Sequence, residues 1–137
     1  MPVINWVAVA AAWIAGWLVH GIWYMIFGDP WMRALGWTEA DMQTSGGRRR
    51  MPAGPMITSF AAELLMALML AGIIGHMGGP TITIGLVSGA LIWLGFVVTT
   101  IAVNNAFQRR SIVLTAIDSG AWLVVLLVQG AVLGLFG

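Results

Sequence analysis

The chain has 137 residues, 60% of them hydrophobic and only 8% charged, with a mean hydropathy of +0.94. A soluble domain carries roughly 25% charged residues, so this is the composition of a membrane protein. The net charge of +1 and the few basic side chains argue against nucleic acid as a partner. The lack of cysteine excludes disulfides, cysteine zinc sites and thiol chemistry.

Four apolar runs, 3–27, 56–77, 82–107 and 112–136, each approach or exceed the ~20 residues that a helix needs to cross hydrocarbon. They predict an all-α membrane protein, a four-transmembrane-helix bundle in which residues 1–137 form a single domain. The opening MPVINW has no basic residue, and the run behind it is too long for a signal core, so it reads as the first span. Between the first two spans lies a loop, 28–55, too short to bury a core of its own.

The basic residues are all arginines: Arg33, Arg48, Arg49 and Arg50 in the first loop, Arg109 and Arg110 in the third. By the positive-inside rule both loops are cytoplasmic and both termini lie outside, as in a multi-pass protein of a cell inner (plasma) membrane. The five arginines from Arg48 onward then set topology and meet lipid headgroups. Within the first loop, Asp29-Pro30 has the form of a helix start, and Thr38 to Asp41 that of a second cap. A short interfacial helix is expected there, with Trp23, Tyr24, Trp31 and Trp37 as an aromatic belt.

In lipid, helices meet through small residues. The first span carries Ala8, Ala12 and Gly16 in register with His20 and Tyr24, flanked by Trp13 and Trp17; the second carries Ser59, Glu63, Ala67, Ala71 and Gly75. The third offers Gly85 and Gly89, continuing through Trp93 and Thr100 to Asn104, with Asn105 adjacent; the fourth offers Ser111, Thr115, Asp118, Trp122, Val125 and Gln129. At ~1.5 Å per residue, His20, Glu63 and Asp118 fall in one layer about 10 Å below the cytoplasmic interface, with Asn104 shallower. Ionisable groups inside spans are costly and normally find partners in the bundle.

Two carboxyls and an imidazole, with no buried Lys or Arg, cannot all be ionised independently. A neutral acid, a His20–carboxylate pair and a bound cation each satisfy that constraint. The same His20, Glu63 and Asp118 are candidate ligands for a divalent metal, and such a chain can also relay protons. Equally, all of them can serve only to hydrogen-bond helices together. His76 reads as a turn residue and Gln129 as an interhelical hydrogen-bond donor.

The segments HGIWYMIFGDPWMRALG (20–36), WLGFVVTTIAVNNAFQRRS (93–111) and IDSGAWLVVLLVQGAVLGL (117–135) resemble the DUF1761 family of small four-span bacterial membrane proteins. The resemblance covers nearly the whole chain, though the second span matches more in hydropathy than in motif. It implies fold, length and span count, with Trp23, Tyr24, Trp31, Trp93, Gly95 and Asp118 as signature positions. No catalytic residue comes with it. No phosphate-binding loop, nucleophile elbow or zinc-protease motif is present in the sequence.

A non-enzymatic module is therefore expected, with no cofactor. Its expected role is that of a scaffold or accessory subunit whose partners are membrane lipids and either a second copy or another membrane protein. The alternative is proton, ion or small-solute handling through the polar layer of His20, Glu63, Asn104 and Asp118.

Overall fold

The computed structural model describes residues 4–44 and 53–137, and among these it is helical throughout, without strands. In order it has α1 (Trp6–Ala34), α2 (Glu39–Thr44), α3 (Ala53–His76), α4 (Ile82–Ile92), a π-helical turn (Trp93–Val97), α5 (Val98–Phe107) and α6 (Ile112–Phe136). Helix α4, the π-turn and α5 form one continuous span, so four helices are long and apolar enough to cross a membrane. The chain is a multi-pass membrane protein. Arg48, Arg49 and Arg50 lie outside the described residues.

Three of the four spans, α1, α4 and α6, start on a polar cap, as chains do when the first helical N–H groups lack partners. Asn5 Oδ1 accepts from the amides of Val7 and Ala8, Thr81 Oγ1 from Ile84, and Ser111 Oγ from Leu114. Helix α1 ends at Gly36, φ +88°, where Gly36 donates to Arg33 O and Trp37 to Met32 O. The same pair of bonds closes α5, but there the left-handed position is held by Arg109 at φ 55°. Glycine is the residue that normally fills it.

The expected helix start at Asp29-Pro30 is not found. Helix α1 passes through Pro30 to Ala34, although an interior proline costs about 3 kcal/mol through its missing N–H. The turn survives because the next residue, Trp31, is fastened to α6 through Asp118. With 29 residues at ~1.5 Å each, α1 is about 43 Å long, more than a hydrocarbon core of ~30 Å. The second expected cap is present: Thr38 Oγ1 and N donate to Asp41 Oδ2 at 2.7 and 2.8 Å, and Thr38 Oγ1 accepts from the Asp41 amide. The Thr38 hydroxyl, and after it the amide, hold the exposed Asp41 carboxyl below the usual carboxylate range.

Helix α6 is the hub, antiparallel to α1 and α4 and packed against both, with α3 closing the bundle against α1 and α6. Small residues bring the backbones together. A Cβ placed on Gly85 would sit 1.9 Å from Gly130 O, and one on Gly89 2.7 Å from Leu126 O. On the other side Ala8, Val9 and Ala12 meet Ala67, Leu70, Ile74, Leu126 and Leu133 in a closed apolar core. Gly85→Ala must therefore push α4 off α6, whereas Gly72, with nothing within 4 Å of its would-be Cβ, should accept alanine. In detergent, thermal unfolding is expected to show a loss of about 1–3 kcal/mol for Gly85→Ala and no loss for Gly72→Ala; equal effects would contradict this packing.

Candidate functional site

Two polar assemblies occupy the bundle, one at the middle of α1 and α3 and one where α1 ends and α6 begins. The first is a pair. His20 of α1 places Nδ1 2.5 Å from Glu63 Oε1 of α3, and Glu63 is fully buried while the His20 side chain keeps 14% exposure. The imidazole is held by rings: Trp122 of α6 at 4.7 Å and Tyr24, one turn along α1, at 5.4 Å between centroids. From α6, Gln129 donates through Nε2 to the backbone carbonyl of Glu63 at 3.0 Å. Gly16 makes room for it, since a Cβ there would lie 2.8 Å from Nε2. Two buried oxygens at this junction, Glu63 Oε2 and Gln129 Oε1, have no hydrogen-bond partner among the described residues.

The second assembly is a cluster of donors on one turn of α6. Tyr24 Oη and Trp31 Nε1 both donate to Asp118 Oδ1, at 2.6 and 3.0 Å. Trp23 Nε1 donates to Ile117 O at 3.0 Å and Trp93 Nε1 to Ser119 O at 2.7 Å. Three indoles and a phenol thus converge on residues 117–119. Trp23, Tyr24 and Trp31, expected as a belt, are turned onto α6; Trp37 follows the α1 cap. A further indole, Trp13, donates to Phe60 O at 2.7 Å and ties α1 to α3.

The expected single layer is therefore divided. His20 and Glu63 meet directly, Asp118 is held separately by Tyr24 and Trp31, and Tyr24 lies between the two assemblies. Asn104 is not part of either: it is exposed on α5, and Asn105 instead donates to Thr115 Oγ1 at 3.0 Å. The cause is the π-turn. The stripe through Gly85, Gly89, Trp93, Thr100 and Asn104 assumes an unbroken 3.6-residue period, and one extra residue in a turn rotates everything after it by about 100°. Nor do His20, Glu63 and Asp118 make a metal site, for among the described residues no three His, Cys, Asp or Glu side chains gather around one point. His76 caps nothing beyond its own helix, with Nδ1 2.7 Å from Gly72 O.

Gln129 is the interhelical donor expected from the sequence; what the residue pattern missed is its partner, Glu63, and the use of tryptophan as an interhelical donor. The signal for the first was present in its seven-residue spacing from Trp122. The chemistry open to the site is proton exchange, because the pair joins an acid to a base with one N···O contact and the remaining carboxyl oxygen is without a donor. The Asp118 assembly is a fastening. Tyr24→Phe should cost about 1–3 kcal/mol in unfolding free energy and speed amide exchange in the last turn of α1, while unchanged exchange would show that Tyr24 does not hold it.

Comparison with known proteins agrees with this architecture. No curated protein and no solved structure matches the chain. A family model described as "Protein of unknown function (DUF1761)" matches residues 7–134, which take in all four spans and both polar assemblies. The chain belongs to the DUF1761 family.

Proposed function

We propose that this protein is a non-enzymatic membrane module in which the His20–Glu63 pair takes up and returns a proton on one side of the membrane. The observation that carries this reading is the state of Glu63: fully buried, with one oxygen on His20 and the other without a donor among the described residues. An acid kept only to pair helices would have its lone pairs satisfied, since an unmet buried acceptor costs more than the pairing returns. The remaining oxygen is a place for a proton.

His20 retains some exposure, whereas beyond Glu63 the apolar core of Ala8, Ala12, Ala67, Leu70 and Leu133 offers no group on which a proton could hop. Such an element responds to protons and does not conduct them. The arginines Arg33, Arg109 and Arg110 stand at the same end of the bundle, so the positive-inside rule puts the pair toward the cytoplasm and the termini outside. Protonation changes how α1, α3 and α6 hold together, and a scaffold or accessory subunit would pass that change to a second copy or another membrane protein.

The test is nitrogen-15 NMR of His20 with the full chain in lipid nanodiscs over a range of pH. The His20 signals should change over this range and follow a different course in Glu63→Gln. Identical His20 spectra in both proteins at every pH would remove the reading.

A further inference from the structure

The junction of α1, α3 and α6 contains two buried acceptor oxygens, with no donor for either among the described residues. Gln129 cannot cure this by turning its amide, because Nε2 is engaged with Glu63 O at 3.0 Å, and reversal would set oxygen against oxygen. That bond also keeps Gln129 Oε1 beside the residue whose Oε2 is unmet. The packing leaves no slack on the α1 side, where even a methyl group on Gly16 would come within 2.8 Å of Nε2 and 3.1 Å of Cγ.

We infer that Gln129 is the second holder of the proton: Glu63 is protonated on Oε2 and donates to Gln129 Oε1, while Nδ1–H of neutral His20 donates to Oε1. This rests on the proton-exchange reading above and specifies where the proton sits. The balance is simple. One proton is added to the carboxylate, the His20 contact persists, and no other bond is made or broken. The groups facing Glu63 are His20 from α1 and the uncharged Gln129 from α6. Asp118 is occupied by Tyr24 and Trp31, and α4 contributes no titratable side chain.

The consequence is a three-helix clasp made by one side chain. In the protonated state Glu63 joins α1 through His20 and α6 through Gln129. When the proton leaves, both oxygens are again without a donor among the described residues, and α6 loses its side-chain hold on Glu63 while the Nε2 bond to the backbone remains. Gln129 is thus a positioning residue for the proton.

The test is infrared difference spectroscopy of the full chain in nanodiscs between low and high pH. A protonated-carboxyl C=O band that moves in D2O is expected, absent from Glu63→Gln and displaced in Gln129→Met, which keeps the length of the side chain but removes its acceptor. A Glu63 band unchanged in Gln129→Met overturns the inference. Should that variant not fold, carbon-13 NMR of the wild type decides: the Gln129 amide carbon is expected to shift together with the Glu63 carboxyl carbon, and a Gln129 signal indifferent to pH overturns it. If His20 follows pH while Glu63 never shows a protonated carboxyl, the proton stays on the imidazole and only this inference falls. If neither residue responds, both readings fall.

Discussion

A carboxyl group enclosed by three helices imposes more on this bundle than any other group in it. Burial of a charged or half-satisfied carboxylate is among the costliest arrangements a membrane protein can hold, and it persists only where surrounding contacts fix it in place. Here Glu63 has its Oε1 on His20, its backbone carbonyl on Gln129, and no water-accessible surface. The rings of Trp122 and Tyr24 hold the imidazole in turn. Every helix that touches this residue is therefore positioned with respect to it.

The remainder of the fold reads as support for that junction. Lipid gives no hydrophobic driving force between helices, so close backbone packing and interhelical hydrogen bonds must bring them together. The Gly85–Gly130 crossing supplies the first for α4 and α6. Tryptophan supplies the second: Trp13, Trp23, Trp31 and Trp93 each place an indole N–H on an oxygen of a neighbouring helix. An indole joins a large apolar surface to a single donor. It can thus cover a helix face toward lipid and still fix its rotation.

Much of this was legible in the residues. Span number followed from hydropathy, and the buried stripes of Ala8, Ala12 and Gly16, of Glu63 and Ala67, and of Gly85 and Gly89 followed from small-residue spacing. Comparing depth put His20, Glu63 and Asp118 in one layer, with a His20–carboxylate pair as one of three arrangements that satisfy their charges. Three features did not follow. Asn104 was misplaced because a π-turn leaves no mark in hydropathy, and its anchor, Trp93 on Ser119 O, is a tertiary contact. The continuation of α1 through Pro30 depends likewise on Trp31 reaching Asp118. Asp118 was grouped with His20 because depth alone carries no azimuth, and Tyr24 proved to be what separates them. Local sequence reports periods and propensities, and each of these exceptions is decided by a side chain from another helix.

We propose that the His20–Glu63 pair exchanges its proton with one aqueous side only. The direct test uses uniformly oriented proteoliposomes whose internal and external pH are set independently, with the His20 imidazole signal as the readout. The account predicts that the signal follows the pH on the side bearing Arg33, Arg109 and Arg110 and ignores the pH on the side of the chain termini. A signal that followed the terminal side, or both sides alike, would contradict it.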